Sequence, residues 1–563
     1  MRPRDERLFV SLLLAICATL CFTNLSGRDL WEPNEPIPAE AAREMGQRGD
    51  WLLPTVNGEI YPDKPPLLFW GIQLASLPAG RITETSARIP SALAGTGLVL
   101  AVYFLTRKAL GPRGAFLAAV SLAVSTFFVE QARYVQHDML LLLGLTGGTL
   151  SLFRIADDEP PRGGWIAAAA LFLGFGVLAK GPVALALPAL MIAADTLFER
   201  RLFRRWGWLL AAGLLALIPA GTYYALLVQR HGPELVQSFL FRHNVDRFVE
   251  GFDHLHPWWF FFARTPTDLL PVSLFLPAAL FLRPEEPARR RLARRMWIWI
   301  LAPLIFFSFS ASKRPIYLLP ALPAAAILCG AALDAAARDP LRTTGRKLAL
   351  AAEGIALAAL GTAGAAAPLL AVRRAPHLLD TAWLLAACAL IGAFFGLFLL
   401  AREKLLPAHG FLVGALAAVW IVAILRIYPA IDRFNSPRKF SEALLREVPR
   451  DAPLRTYGLY RFRSGYLFYT GRLMPRLPDR SALQEYLEDE EEVFCVLPKE
   501  DFESLRESSG RPVTLLAEGS TGRRKDCLIS NRPATPTPPA ATQEPPGKGP
   551  SSRAPGARSG SGS

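Results

Sequence analysis

The feature that most constrains this chain is the alternation of long apolar runs with short loops rich in arginine. A run of about 20 apolar residues is long enough to cross the hydrocarbon core of a bilayer as a helix. In lipid, backbone groups must find their hydrogen bonds within their own segment, which excludes open sheets there. The sequence therefore predicts an all-α polytopic membrane protein.

Hydropathy predicts about thirteen membrane-spanning helices. Each run meets or approaches the length needed to cross a bilayer. The runs lie at 8–22, 88–106, 114–129, 138–154, 164–179, 182–197, 206–228, 268–282, 296–311, 315–334, 347–371, 380–401 and 410–427.

The distribution of basic residues predicts one orientation. Arginines and lysines are concentrated in alternate loops, for example 107–113, 200–205 and 289–295. Cytoplasmic loops carry this excess in membrane proteins. We therefore expect a cytoplasmic N-terminus and, with an odd number of spans, a C-terminus outside. The same placement explains the net charge of +14 without nucleic acid, which we exclude as a partner.

Beyond the spans, composition predicts three further parts. Two long outer loops occupy 27–86 and 229–267, so the membrane domain extends over 1–428. Residues 429–531 read as a small extracytoplasmic α/β domain, and the Pro-, Gly- and Ser-rich tail 532–563 is expected to be disordered. Strands are expected at Thr456–Tyr460, Tyr466–Tyr469 and Glu492–Leu497, and helices at Ser436–Val448, Ser481–Leu487 and Lys499–Ser508. A disulfide between Cys495 and Cys527 is left open.

Six polar clusters lie at the predicted outer ends of the spans. A single cluster of this kind is explained by interfacial anchoring or solvation. Six on one face are harder to attribute to chance, and together they predict a shared site. Basic groups there can hold a phosphate, carboxylates can take a proton or a metal ion, and the apolar spans can accept a lipid tail. The clusters lie at 31–43, 61–66, 131–138, 180–182, 242–259 and 312–317.

Three of these clusters carry motifs that resemble a known family. They are Glu32-Pro-Asn-Glu-Pro36 with Tyr61-Pro-Asp-Lys-Pro-Pro66, and Ser312-Lys-Arg-Pro-Ile-Tyr-Leu-Leu-Pro320. The chain resembles the bacterial aminoarabinose transferase and protein O-mannosyltransferase superfamily, of the GT-C membrane fold. The lipid A aminoarabinose transferase branch is the nearest likeness.

The resemblance implies roles for individual residues. Lys64 matches a lysine that contacts the phosphate of a polyprenyl carrier, and Arg247 and Tyr317 match groups near that phosphate. Lys313 is a further candidate cation there. Asp63 matches an acidic position associated with a metal ion, with His256 as its partner, so a divalent metal is an optional cofactor and no organic one is expected. Asp138 matches an acidic residue beside the cavity.

One position departs from the family pattern. The first-loop motif usually begins with Asp-Glu, whose aspartate is the candidate base, whereas this chain has Asn34 followed by Glu35. An asparagine cannot accept a proton at neutral pH. Glu35 or Glu32 could replace it, Asp138 or Asp63 could take the role, or the protein could have reduced or different activity.

The resulting expectation is a glycosyltransferase of the bacterial inner membrane, working as a monomer. It would move a sugar from a polyprenyl-phosphate carrier to an extracytoplasmic acceptor such as lipid A, another glycan or a protein. Two alternatives stay open at this point. One is a transporter or flippase for a lipid-linked sugar, which would need charges through the midplane. The other is a non-catalytic lipid-binding member.

Overall fold

The computed structural model describes residues 3–237, 239, 255–282, 284–338, 343–459, 463–508, 513–522 and 524–532. Arg247, residues 238 and 240–254 of the second outer loop, and nearly all of the tail 532–563 therefore lie outside the described residues, and the predictions made for them stay predictions.

The membrane part is a bundle of helices joined mostly by short connections. Several short helices lie between the long ones and form the outer loops. The helices are α1 (Pro3–Cys17, continued by a π-turn at Ala18–Phe22), α2 (Pro36–Arg48), α3 (Leu67–Ser76), α4 (Glu84–Ala123), α5 (Thr126–Ala132), α6 (His137–Asp157), α7 (Gly163–Lys180), α8 (Val183–Phe198), α9 (Trp206–His231), α10 (Pro233–Gln237), α11 (Phe260–Asp268), α12 (Leu276–Leu280), α13 (Pro287–Ser308), α14 (Leu322–Arg338), α15 (Thr344–Arg374), α16 (Leu379–Ala401) and α17 (Leu405–Val422).

Eight helical stretches within the described residues are long and apolar enough to cross a membrane. The chain is thus a multi-pass membrane protein, while the number thirteen stays a prediction. Part of the difference lies in α4, which covers two predicted spans and is broken at Gly111, where φ is 80°. The predicted span 268–282 is divided between a 3-10 turn, Val272–Phe275, and α12.

The first outer loop is built around the buried side chain of Glu44 on α2. Its carboxylate accepts hydrogen bonds from the Thr55 hydroxyl at 2.6 Å and from the backbone N–H groups of Asn57 and Gly58 at 2.6 and 3.1 Å. These bonds hold the hairpin of β1 (Thr55–Val56) and β2 (Glu59–Ile60) against the helix. The chain then enters α3 through Asp63 and Lys64, so Glu44 indirectly fixes where that motif lies.

The segment after α17 combines helices with a four-stranded sheet. The sheet order is β3-β4-β6-β5, with β3 and β4 parallel and the other pairs antiparallel. The strands are β3 (Leu454–Thr456), β4 (Phe494–Pro498), β5 (Thr514–Thr521) and β6 (Arg524–Ser530), and the helices are α18 (Tyr428–Asn435), α19 (Arg438–Glu447), α20 (Ser464–Thr470), α21 (Arg480–Leu487) and α22 (Lys499–Ser508).

Most elements predicted for this segment occur, but two of the predicted strands were wrong. Of the predicted strand Thr456–Tyr460, only Thr456 lies in a strand, at the end of β3, and Tyr460 lies outside the described residues. Residues Tyr466–Tyr469 are helical, within α20, because Tyr466 and Leu467 turn into one apolar core while Gly471 ends the helix in the left-handed conformation. The hairpin of β5 and β6 was not foreseen. Cys495 and Cys527 are both free and buried, on neighbouring strands, so the disulfide left open does not form.

This C-terminal segment, residues 428–532, packs on the first outer loop. Asp432 accepts hydrogen bonds from the Trp31 indole at 2.7 Å and from the backbone N–H of Asp29 at 3.1 Å. Tyr469 donates from its hydroxyl to Glu84 at 3.2 Å. The segment therefore lies at the same end of the bundle as the first loop.

Candidate functional site

The site is centred on an ion pair between two helix ends. Asp138 lies in the first turn of α6 and Lys180 ends α7, and their charged groups are 2.5 Å apart. The same ammonium lies 5.7 Å from the centre of the Tyr317 ring, in the 3-10 turn Pro315–Ala321. Two consecutive helices and a 3-10 turn far along the chain thus bring a carboxylate, an ammonium and a phenol together, and Asp138 and Tyr317 of this group were among the predicted site residues.

His137 connects this pair to the Lys64 motif. Its ring packs on Phe69, which packs in turn on Tyr61. Lys64 and Lys180 both lie within electrostatic range of the imidazole. Nε2 of His137 is buried and has no hydrogen-bond partner among the described residues. Lys64 and Lys180 therefore lie near a polar nitrogen whose hydrogen-bonding capacity is not used within the described part of the chain.

Lys313 and His256 lie on the far side of Tyr317. Leu255 forms an antiparallel bridge with Ser312, which places His256 beside the start of the Ser312–Pro320 motif. The His256 ring is exposed and stacks on Phe260, with 4.2 Å between centroids. Lys313 is buried, and its ammonium donates to the Ser310 carbonyl at 2.5 Å. Phe261 joins the two parts through its contact with the Tyr317 ring.

Glu35 is held by two arginines that were not predicted. Arg28 pairs with its carboxylate through both terminal nitrogens, and Arg88 donates to it at 2.9 and 3.0 Å. The Arg28 guanidinium also lies over the rings of Trp31, Tyr134 and Tyr428. Burial alone would raise the pKa of Glu35, but the two guanidiniums overcome it and lower that pKa to about 2. A carboxylate this weakly basic favours a structural role for Glu35.

Asn34, in contrast, is exposed in the turn formed by residues 32–35. The ion pairs that Glu35 forms with Arg28 and Arg88, here called the arginine clamp, hold this turn next to the N-terminal end of α4, from which Arg88 projects. The amide of Asn34 can donate and accept hydrogen bonds, so it can orient a substrate even though it cannot take a proton.

Glu32 has the opposite environment from Glu35. One oxygen accepts a hydrogen bond from the Gly465 N–H at 2.5 Å, while the other is buried and has no partner among the described residues. Burial raises the pKa of Glu32 to about 8, against the lowering effect of the Gly465 hydrogen bond and of Arg463. Of the acids in the first-loop motif, Glu32 therefore has the pKa nearer to that of a proton carrier at neutral pH.

The described residues do not by themselves form a metal site. No group of three or more His, Cys, Asp or Glu side chains converges within the described ranges. Asp63 and His256 alone supply too few ligands for a magnesium or calcium ion, each of which takes at least six. The metal site stays a prediction, and no chemical step below depends on it.

A cleft separates the first outer loop from the C-terminal segment. Asp63 lines one wall with Asn57 and Tyr61, and Arg463 and Ser464 line the other. The Ser464 hydroxyl is buried and has no hydrogen-bond partner among the residues that the structure describes. The cleft reaches the residue next to Lys64, so it adjoins the charged end of the bundle.

Sequence reasoning missed Arg28 and Arg88 as parts of this region, whereas His137 lay in the predicted polar cluster 131–138 without a role assigned to it. Arg88 could have been recognised, because a charge at the start of an apolar run is costly unless it is paired. Arg28 carried no such signal, since it precedes the motif in a polar loop.

Comparison with known proteins gives a family match over part of the chain. Residues 63–224 match the family model described as dolichyl-phosphate-mannose-protein mannosyltransferase. This stretch includes Lys64, Asp138 and Lys180. It leaves the first-loop motif and the C-terminal segment outside the match.

Curated relatives point in the same direction. The undecaprenyl phosphate-alpha-4-amino-4-deoxy-L-arabinose arabinosyl transferase 2 of Pseudomonas fluorescens is 31% identical over 336 residues, covering 58% of this chain and 56% of the relative. The corresponding transferase of Pseudomonas aeruginosa is 32% identical over 339 residues, covering 58% and 60%. The chain thus spans somewhat more than half the length of the curated relatives it matches.

A solved structure decides the fold. The crystal structure of ArnT from Cupriavidus metallidurans bound to undecaprenyl phosphate matches 93% of this chain and 98% of its own, with a TM-score of 0.77 and 23% identity. The chain has the fold of ArnT. The predicted GT-C type of helical membrane fold is thereby confirmed, and so is the predicted resemblance to this superfamily.

Proposed function

We propose that the chain is a membrane glycosyltransferase that moves a sugar from a polyprenyl-phosphate carrier to an acceptor outside the cytoplasm. The observation that carries the proposal is the Asp138–Lys180 pair beside Tyr317, at the end of the bundle that holds the Lys64 motif. The ArnT fold, and the carrier named for that solved structure, support the choice of donor.

The proposed reaction breaks the bond between the sugar anomeric carbon and the carrier phosphate. The acceptor oxygen forms the new bond to that carbon from the opposite face, and its proton passes to a carboxylate or to the departing phosphate. The carrier leaves as a phosphate monoester whose extra negative charge must be stabilised. Lys64 and Lys180, with Arg247 and Lys313 as further candidates, supply that stabilisation.

The environments of the candidate residues reduce the number that could act as the base. Glu35 is too weakly basic, and Asn34 has no basic group. Glu32 has a suitable pKa but contacts Gly465 of the C-terminal segment, and Asp63 lines the neighbouring cleft. Asp138 contacts Lys180 directly beside Tyr317, so we assign it the role of accepting or orienting the acceptor proton. Asn34 then has a positioning role as a hydrogen-bonding amide.

We further propose that this end of the bundle faces outward from the bacterial inner membrane. The arginine-rich start of α13, and the end of α14 that carries Arg338, lie at the opposite end of their helices from the Lys313–Tyr317 motif. An excess of positive charge marks the cytoplasmic side. The acceptor, whether lipid A, another glycan or a protein, would then be met outside the cytoplasm.

Release of free carrier tests this function. Purified protein is incubated with a polyprenyl-phosphate sugar labelled in the lipid, with and without extracted envelope lipids as acceptor. We expect acceptor-dependent release of labelled polyprenyl phosphate. Binding of the donor without release would contradict transfer and favour the non-catalytic lipid-binding alternative, which the presence of Asn34 keeps relevant.

The Lys64→Ala variant tests the role of the motif in the same assay. Loss of a cation that stabilises the leaving phosphate should lower kcat/KM by about 100-fold or more. Lys404→Ala is the matched control, because Lys404 is exposed and lies at the start of α17, at the other end of the bundle. Equal turnover by the two variants would contradict the assignment of Lys64.

A further inference from the structure

A second cavity lies at the other end of the bundle, far from the candidate site. It has a volume of about 640 Å³ and is bounded by α13, α14, the end of the first half of α4, and residues 282 and 284–286. The wall residues of α14 recur along one stripe of that helix, and those of α13 do the same. The cavity is lined by Leu110, Leu282, Pro284, Glu285, Glu286, Arg289, Leu292, Ala293, Met296, Ile327, Leu328, Ala331, Asp334, Ala335 and Arg338.

The lining changes from charged to apolar along the helix axes. Arg289 and Met296 are seven residues apart on α13, and Ile327 and Arg338 are eleven apart on α14, which correspond to roughly 10 and 16 Å of helix rise. The charged residues lie at the helix ends and the aliphatic ones lie deeper. This is the layout of a phospholipid, whose polar headgroup precedes its hydrocarbon chain.

The rim holds both signs of charge. Its lining contains two arginines, Arg289 and Arg338, and three acids, Asp334, Glu285 and Glu286. Asp334 is buried and is contacted by Arg338 at 2.8 Å, more distantly by Arg289 at 3.9 Å, and from outside the lining by Arg113 at 2.6 Å. Arg289 also lies 3.1 Å from Glu286, a residue that is largely exposed. Because the arginines do not outnumber the acids, the cavity does not favour a ligand with a net negative charge.

The Arg289 and Arg338 guanidiniums lie close together. A Cβ atom placed on Gly111 would be 3.8 Å from an Arg289 nitrogen and 3.9 Å from an Arg338 nitrogen. Gly111 breaks α4 at this point, and Arg289 donates to the Leu110 carbonyl at 3.2 Å. Two adjacent guanidiniums suit a phosphate, which they bind through parallel hydrogen bonds.

We propose that this cavity binds a zwitterionic phospholipid whose headgroup carries a phosphate and a primary amine. Arg289 and Arg338 hold the phosphate, Glu285 and Glu286 accept hydrogen bonds from the ammonium, and one acyl chain lies along Met296 and Ile327. A quaternary ammonium has no N–H to donate, so the acids should discriminate against it. The site is independent of sugar transfer, and its absence would leave the proposed function unaffected.

Native mass spectrometry of the delipidated full-length protein in neutral detergent tests this site. Dioleoyl phosphatidylethanolamine should bind about tenfold more tightly than the phosphatidylcholine or phosphatidylglycerol with the same chains, a difference of about 1.4 kcal/mol. Equal binding of the three lipids would overturn the headgroup assignment. Competition by soluble phosphoethanolamine at the lipid's own concentration would overturn the lipid as occupant.

Substitutions in the lining test whether the lipid binds in this cavity. Arg289→Gln combined with Arg338→Gln should lose the preference, while Arg204→Gln, an exposed arginine of another loop rich in basic residues, should keep it. Ala331→Phe fills the apolar part and leaves every charge in place, so it should weaken all three lipids together. If the double variant does not fold, the proposal is tested by the binding of the three lipids to the wild type and to the Ala331→Phe variant. Unchanged binding in Ala331→Phe would overturn the cavity as the location.

Discussion

At the scale of single residues, Glu32 and Glu35 show how neighbours control a carboxylate. They are three positions apart in one turn, yet one has a raised pKa and the other a lowered one. The difference arises because Glu35 meets two guanidiniums, whereas Glu32 meets a backbone N–H at the contact with the C-terminal segment. Because the two pKa values shift in opposite directions, the two carboxylates should make the stability of the protein depend on pH in opposite ways.

The pH dependence of Glu32 can be predicted with its sign. Its folded pKa of about 8 exceeds the ordinary value, so its neutral form favours folding at low pH, and this contribution is lost as pH rises toward and through 8. The thermal midpoint of the wild type should therefore fall more steeply between pH 6 and 9 than that of Glu32→Gln. The exposed Glu59→Gln should keep the wild-type slope. Parallel slopes for Glu32→Gln and wild type would exclude a protonated Glu32.

For Glu35 the sign is reversed. Its folded pKa of about 2 lies below the ordinary value, so its contribution is present above about pH 4.5 and is lost as pH falls toward 2. The shift corresponds to roughly 3 kcal/mol. Glu35→Gln should lower the thermal midpoint at pH 7 and lower it by about half as much or less at pH 3, because the folded carboxyl begins to take up its proton only near pH 2. An equal loss at both pH values would show that the arginine clamp does not stabilise the loop.

Several site residues could be predicted from the sequence because charged groups are unusual at the ends of apolar runs. Asp138 and Tyr317 were found in this way, and they do meet at Lys180. The clamp on Glu35 could not be predicted, since it depends on which side of α4 faces the first loop. A motif identifies residue types but not the partners that set their pKa.

At the scale of elements, a buried polar chain joins four helices inside the membrane. Glu353 on α15 lies 2.9 Å from Nδ1 of His409 on α17, whose Nε2 lies 3.1 Å from the Ser121 hydroxyl on α4. Ser121 donates to its own helix, so Nε2 must carry the hydrogen that it shares with Ser121. Cys329 on α14 also contacts Ser121. The proton between Glu353 and Nδ1 keeps the pair neutral overall, which suits a lipid environment.

Two substitutions of Glu353 should distinguish the contribution of its hydrogen bond to stability from that of its charge. Glu353→Gln can still donate to Nδ1 and should keep the thermal midpoint of the detergent-solubilised protein within a few degrees of wild type. Glu353→Ala leaves Nδ1 buried without a partner and should cost about 1–3 kcal/mol. Thr362→Ala, an exposed residue of the same helix, is the control. If the alanine variant at 353 is as stable as this control, the polar chain does not hold the helices together.

Element boundaries were predicted well where one periodicity dominates. Lys499–Ser508 was predicted as a helix and is α22, with the same bounds. Tyr466–Tyr469 was predicted as a strand because aromatic residues favour strands. Tertiary packing overrides this preference. Tyr466 lies on the buried side of a helix, and its hydroxyl donates a hydrogen bond to Asp526 at 2.6 Å. Residues far apart in sequence make that contact, which a local pattern cannot contain.

At the scale of the whole molecule, the C-terminal segment and the first loop pack on each other at one end of the bundle. Glu84 accepts from Tyr469 and also pairs with Arg438, while Ser436 donates to Asp29 at 2.5 Å. The sequence predicted that both parts lie on one side of the membrane. It could not predict that they touch, because the contacts join positions more than 350 residues apart.

Gly465 tests whether this contact supports activity. A Cβ atom there would lie 2.5 Å from Pro437, within the segment, and 2.7 Å from a Glu32 oxygen of the first loop, so Gly465→Ala must displace both neighbours and disturb the Glu32 contact. We expect at least about tenfold slower sugar transfer with normal membrane insertion, and faster cleavage of the first loop in limited proteolysis. Gly410→Ala, where a Cβ atom meets nothing within 4 Å, is the control. Wild-type transfer by Gly465→Ala would make the contact irrelevant to the reaction.

A double-mutant cycle on sugar transfer tests the central claim most directly, namely that distant helix ends act on one carrier phosphate. Transfer of labelled sugar from the polyprenyl carrier is measured for wild type, Lys64→Ala, Lys180→Met and the double variant. If both lysines stabilise the same leaving group, each single change should lower kcat/KM by about 100-fold, and the double change should cost clearly less than the product of the two. Wild-type transfer in either single variant, or losses that multiply fully, would contradict a shared site.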